Sequence, residues 1–189
     1  KDGNGGKSWR EWETPLKIRE AKAIEGAKER LSRDIDFYKF LQFEFFSQWD
    51  KLKSYANKCG IKIIGDIPIY VADDSVEVWS DPRQFDLLPD LTPRAVAGCP
   101  PDAFSATGQR WGNPIYDWKK MENDGFSWWI NRIRYMLTLV DYVRVDHFRG
   151  FEAYYCIKYG LKTAKVGKWL KGPDIAFWKF VKKKLGDLP

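Results

Sequence analysis

Arg144 and Asp146 stand two residues apart in a run that alternates apolar and polar side chains, Val143-Arg144-Val145-Asp146. Strand side chains point to opposite faces in turn, so the guanidinium and the carboxylate share a face. A cation at that distance favours an ionised carboxylate, and an ionised carboxylate is what a covalent nucleophile requires. The same spacing also suits an ion pair that only closes a strand end. Asp66 is a second carboxylate at the end of an apolar run, Ile61 to Gly65. It reads equally as a turn former or cap. Two strand-end carboxylates are the raw material of a glycosidase acid–nucleophile pair, which in retaining enzymes lies roughly 5–5.5 Å apart.

A third feature is the segment from Gly98 to Pro114. It mixes Pro and Gly with Asp102, Phe104, Gln109, Trp111 and Asn113. Amide and carboxylate groups suit hydroxyls, and aromatic rings suit the CH faces of sugars. An ordered surface loop would have a similar composition. Phosphate-binding glycine loops are excluded, because neither G-x-x-x-x-G-K-[ST] nor G-x-G-x-x-G occurs. His147, the single histidine, follows Asp146 directly and has no G-x-S-x-G partner, which argues against a serine hydrolase triad.

The elements that must hold these groups follow from periodicity. Residues from about Lys17 to Cys59 carry helical spacing, with a strong stretch from Phe37 to Ala56 that Asp34 or Asp36 is placed to cap and Gly60 to stop. Ile61 onward reads as a buried parallel strand that Pro68 limits. Residues Asp73 to Asp117 are mostly aperiodic, a loop too long to lack a task. Helical spacing returns from about Gly125 to Leu139, feeds a strand from Val140 to Phe148, and reappears from Ile175 to Leu185 after a loop from Lys158 to Pro173. This is a βα order with parallel strands and polar residues at their C-terminal ends, where α/β barrels put catalytic groups.

Composition sets bounds on function. At 44% hydrophobic and 31% charged, the 189 residues match an ordered globular chain. Ten Trp, nine Tyr and twelve Phe raise the prior for a ligand with flat faces, sugar or single-stranded nucleic acid. The net charge of +6 is modest and reads as a solvated surface rather than a nucleic-acid footprint. No run approaches the length of a membrane span, so no membrane partner is expected. Three widely spaced cysteines, Cys59, Cys99 and Cys156, fit a reducing cytoplasm. One histidine and no C-x-x-C give no basis for a metal or an organic cofactor.

Three motifs in order carry a resemblance. They are Gly65-Asp66-Ile67-Pro68-Ile69-Tyr70-Val71-Ala72 with Asp74-Ser75 and Trp79, the segment Pro100 to Trp118, and Val143-Arg144-Val145-Asp146-His147-Phe148-Arg149-Gly150-Phe151. Together with Gln42, Trp49, Tyr55-Ala56-Asn57, Gly167, Trp169 and Gly172-Pro173, they resemble the amylomaltases, glycoside hydrolase family 77. The resemblance implies an α/β fold that is part of an α-amylase-like (β/α)8 barrel with a long inserted loop over the site. Residues 1–189 would form one segment of that catalytic domain, about its third and fourth strands with flanking helices, truncated at both ends. It implies a retaining transfer of α-1,4-glucan segments to the 4-hydroxyl of an acceptor. Asp146 would be the nucleophile and Arg144 would orient it. Asp66 and His147 would bind sugar hydroxyls, and Asp102, Phe104, Gln109, Trp111 and Asn113 would line the glucan groove. The implied partners are maltooligosaccharides and the missing barrel segments. The family's general acid/base glutamate, in A-E-D-L-G, and its later H-D aspartate do not occur in the sequence. The chain alone is therefore expected to turn over negligibly. An α-glucan hydrolase and a non-catalytic glucan-binding module are the alternatives.

Overall fold

The computed structural model describes Lys1–Leu188. In chain order the longer elements are α1 (Thr14–Lys17), α2 (Ala21–Arg30), α3 (Ser32–Lys58), β1 (Ile64–Pro68), α4 (Val76–Ser80), β2 (Ala95–Cys99), β3 (Gln109–Pro114), α5 (Trp118–Asn123), α6 (Ser127–Leu139), β4 (Tyr142–Asp146), β5 (Ala153–Lys158), β6 (Lys168–Lys171) and α7 (Asp174–Leu185). The chain divides into two compact units, one of residues 1–65 with 137–142, the other of residues 66–136 with those from 143 on.

The first unit is helical. Pro15 starts α1 within its first turn, where a missing N–H is harmless. The 27-residue α3 begins at Ser32, earlier than the apolar spacing indicates, and its N-terminus has no side-chain cap, so the capping role read for Asp34 or Asp36 is not used. It ends where Gly60 turns at φ 77°, with Gly60 N–H bonded to Asn57 O. Polar side chains on α3 grip residues 138–141. Trp49 Nε1 donates to Leu139 O at 2.7 Å, Lys53 Nζ to Thr138 O at 3.0 Å, and Asn57 Nδ2 to Asp141 Oδ2 at 2.9 Å. Asp141 Oδ2 also accepts from Ile63 N–H at 2.8 Å. That bond, then the one from Asn57, holds the Asp141 carboxyl below its usual range.

β1 and β4 pair as a two-stranded sheet. Tyr142 N–H donates to Ile63 O and, further along both strands, Ile69 N–H donates to Asp146 O. Both partners advance together, so the strands run parallel, as the βα order indicates.

The second unit corrects the reading of its loops. Residues 73–117 contain α4, β2 and β3, and residues 158–173 contain β6. With β5 they form a four-stranded sheet in the order β3-β2-β5-β6, antiparallel throughout, with Ala97 opposite Cys156 and Tyr155 opposite Trp169. These strands give little local signal. β2 is a buried run of small residues, Ala-Val-Ala-Gly-Cys, β3 is largely polar, and β6 has four residues. Gly98 is required by proximity, since a Cβ there would lie 2.2 Å from Gln109 O. Beside the sheet is an aromatic core of Phe85, Tyr116, Phe126, Trp129, Phe151 and Phe177, each at most 2% exposed. Phe151 and Phe177 stack at 4.8 Å between centroids.

Candidate active site

The site lies in the second unit, at the C-terminal ends of β1 and β4. Alternation along β4 leaves Arg144 and Asp146 exposed on one face and half-buries Val143 and Val145. Arg144 Nη2 donates to Asp146 Oδ1 at 2.7 Å, and Nη1 donates to Asp66 Oδ2. One guanidinium therefore bridges both strand-end carboxylates. Its own pKa is pushed up, chiefly by the bond to Asp146 and then by the charge of Asp66.

His147 follows with φ 55° and ψ 43°, a left-handed conformation that costs a non-glycine residue about 1 kcal/mol or more. The turn aims its ring edge-on at Trp111, 4.8 Å between centroids. Burial holds the imidazole below the usual histidine pKa, with Arg149 adding in the same direction and Asp146 opposing. Its Nε2 is buried with no hydrogen-bond partner.

Pro68, Ile69, Tyr70, Trp111, Asn113, Asp146 and His147 line one open cleft of about 400 Å³. Trp111 and Asn113 come from β3, across the sheet from β5, so the antiparallel sheet brings the distant segment to the strand ends. Gln109 steadies Trp111, accepting from its Nε1 at 3.0 Å. Asn113 Nδ2 donates to Val71 O at 2.8 Å. Tyr70 is buried at 4% exposure, stacks on Tyr116, and keeps a hydroxyl with no partner. Burial raises its pKa well above that of an ordinary phenol, so it stays a neutral donor.

Of the residues selected from sequence, Trp111, Asn113, Asp146 and His147 meet in the cleft. Asp66 and Arg144 join it through ion pairs, and Gln109 through Trp111. Asp102 and Phe104 are not among the lining residues. Asp102 Oδ1 accepts from Phe104 N–H and Ser105 N–H, which shapes a tight turn, and the Phe104 ring is 97% exposed at that turn. Ile69 and Tyr70 also line the cleft, although their place in an apolar run marks neither as ligand-facing. They follow Pro68, the last residue of β1, which lines the cleft with them. Among the described residues no three His, Cys, Asp or Glu side chains gather as a metal site, and no helix is long and apolar enough to cross a membrane.

The site thus sets two strand-end carboxylates, bridged by one guanidinium, beside an aromatic cleft, and comparison with known proteins gives the family. A profile described as 4-alpha-glucanotransferase, glycoside hydrolase family 77, matches residues 1–189, and the chain belongs to that family. It is 56% identical over 182 residues to the 4-alpha-glucanotransferase of Clostridium butyricum, covering 96% of this chain and 37% of that protein. It is 44% identical over 181 residues to the chloroplastic/amyloplastic 4-alpha-glucanotransferase of Arabidopsis thaliana, covering 96% of this chain and 31% of that one. The amylomaltase of Streptococcus agalactiae in complex with acarbose superposes with a TM-score of 0.96 at 45% identity, over 100% of this chain and 38% of that chain. The chain thus spans 31–38% of the length of these relatives. It is α/β and holds part of an α-amylase-like (β/α)8 barrel, incomplete within these residues.

Proposed function

We propose that the chain supplies the nucleophile side of a 4-α-glucanotransferase that moves α-1,4-glucan segments to the 4-hydroxyl of an acceptor glucose or maltooligosaccharide. The observation that carries this reading is the Arg144 bridge to Asp146 and Asp66 beside the cleft formed by Trp111 and Tyr70. In this route Asp146 attacks the anomeric carbon of the donor from the face opposite the leaving oxygen. The C1–O bond breaks and a covalent glucosyl-aspartate forms with inverted configuration. The acceptor 4-hydroxyl then attacks C1 and gives its proton to the base left by the first step, the C1–aspartate bond breaks, and the α-configuration returns. Arg144 fixes the attacking carboxylate. Asp66, His147, Asn113 and Tyr70 offer polar partners for hydroxyls, and Trp111 offers a stacking face. Gln109 acts through Trp111, and Asp102 with Phe104 forms the outer turn of the glucan groove. The acarbose-bound relative supports an oligosaccharide ligand.

Departure of the leaving oxygen needs a proton. Asp66 and Asp146 are both engaged by Arg144, and Asp146 is the one carboxylate among the residues that line the cleft, whereas the departing oxygen needs a separate proton donor. The donor is therefore assigned to the length of the relatives not represented here, and the chain alone is proposed to be inactive. The same reading makes residues 1–189 one segment of the catalytic barrel, around its third and fourth strands, and makes the remaining barrel segments its partner. The exposed aromatics of α3 support that partner. Phe37, Phe40, Phe43, Phe45 and Tyr55 are each 56–68% exposed. Cytoplasmic residence completes the reading, supported by three free cysteines.

The test uses the complete gene product that carries this segment, incubated with maltotriose beside an Asp146→Asn variant. Free glucose with a ladder of longer maltooligosaccharides, abolished in the variant, is the expected result. Net gain of reducing ends with no lengthening would make it a hydrolase. Glucan binding without either product would leave a binding module.

A further inference from the structure

The turn that follows Asp146 is held from outside the cleft. Residues Phe148–Phe151 form a single 3-10 turn, entered through the left-handed His147. Such a conformation persists only where its surroundings over-determine it. Three contacts do so. The Arg149 guanidinium lies 4.3 Å from the ring centroid of Trp169 on β6. Phe148 stacks on Trp178 of α7 at 5.0 Å. Gly172, just after β6, donates its N–H to Glu152 O at 2.7 Å.

The Gly172 contact is backbone on backbone. A Cβ there would lie 2.2 Å from Phe151 O and 2.9 Å from Gly150 O. Gly150 in turn passes the contact on to the site. A Cβ on Gly150 would lie 2.7 Å from Ile69 Cδ1 and 3.2 Å from His147 Cδ2. A continuous packed path therefore runs from β6 through the turn to the His147 ring and to Ile69, both in the cleft wall. Trp169 is 42% exposed on an edge strand; one side of its ring meets Tyr155 edge-on at 5.5 Å and the Arg149 guanidinium lies over it.

We propose that Trp169 and Arg149 are positioning residues. Their stacked pair holds the His147–Phe151 turn against the Gly172 corner, and so keeps His147 and Asp146 in place without touching the cleft. The kinetic part of this inference rests on the glucanotransferase reading; the structural part does not. A cation over an indole is worth about 0.5–1 kcal/mol at an exposed site. Its leverage is geometric, because misplacing a reacting group by about 1 Å lowers a rate on the order of 10²-fold.

The experiment has two readouts. His147 is the only histidine of the 189 residues, so in this chain the imidazole NMR signal reports the turn directly. Trp169→Ala is expected to shift or broaden that signal, and Trp169→Phe and Arg149→Lys to retain it. In the complete gene product acting on maltotriose, Trp169→Ala and Arg149→Met are expected to lower kcat roughly 10–100-fold with KM changed less than about threefold. The double variant is expected to be no worse than the poorer single one. If Trp169→Ala does not fold, the exposed Arg149→Met carries both readouts. An unchanged imidazole signal, an unchanged kcat, or additive losses in the double variant would overturn the proposal. A complete wild-type protein that makes no ladder would sink the glucanotransferase reading and leave the imidazole test to decide this one.

Discussion

Two aromatic regions of this chain have opposite fates. The cluster around Tyr116, Trp129, Phe151 and Phe177 is sealed from solvent in the second unit. On α3, Phe37, Tyr38, Phe40, Phe43, Phe45 and Tyr55 are exposed, and none of its 27 residues is buried. Composition does not separate the two, since both are rich in Phe, Tyr and Trp. The difference lies in what each is given to pack against. The cluster closes on itself through elements contained in these residues. The α3 rings stay exposed, in a chain that spans 31–38% of the length of the relatives compared above. Under the function proposed above, these rings pack against the remaining barrel segments.

The sharpest way to break this contrast is to truncate one side of it. Phe177→Ala or Trp129→Ala removes a fully buried ring and is expected to destabilise the second unit by about 3–5 kcal/mol. Phe43→Ala on α3, at 67% exposure, is expected to change the stability of this chain by less than about 0.5 kcal/mol. Thermal melts of the two variants side by side check the pair. Equal losses would mean that α3 has a partner within the chain.

Gly98→Ala comes next. It forces a Cβ to 2.2 Å from Gln109 O and 2.5 Å from Ile157 Cδ1, so β3 must part from β2. Because β3 carries Trp111 and Asn113, a lower melting temperature should come with a red-shifted tryptophan emission.

Asp141→Ala tests the first unit's own anchor. It removes the acceptor for Ile63 N–H and Asn57 Nδ2 and is expected to lower the melting temperature. The wild-type contribution should also be pH-dependent. The Asp141 pKa is depressed in the fold, so its stabilisation is present above the unfolded value of about 3.9 and lost as pH falls through the folded one. Asp141→Ala should flatten that part of the curve.

The smallest expected effect is at His147. Its folded pKa is also depressed, here because burial favours the neutral ring. Stability from this source is full above about pH 6.5 and declines as pH falls through the lower, folded value. A His147→Gln variant should lack that decline in melts followed from pH 7.5 downward.

Legibility in the sequence followed the range of the interactions. Arg144 and Asp146 fall on one face because alternation is a nearest-neighbour property, and α6 and α7 have the bounds their spacing indicates to within a residue or two. The antiparallel sheet was not legible. Ala95–Cys99 lacks alternation because it is covered on both faces, and its partners lie as far away as Lys158. Tyr70 was hidden by its setting in an apolar run that reads as plain core. The family motifs nevertheless selected Trp111 and Asn113, which spacing alone leaves as members of a surface loop.

We propose that Asp146 bonds covalently to the transferred glucan. The direct measurement is mass spectrometry of the complete gene product after trapping with a fluorinated α-glucosyl fluoride, followed by peptide mapping. A single added glycosyl mass on the peptide containing Asp146, absent in Asp146→Asn, is the expected result. The same mass on a peptide without Asp146 would contradict it.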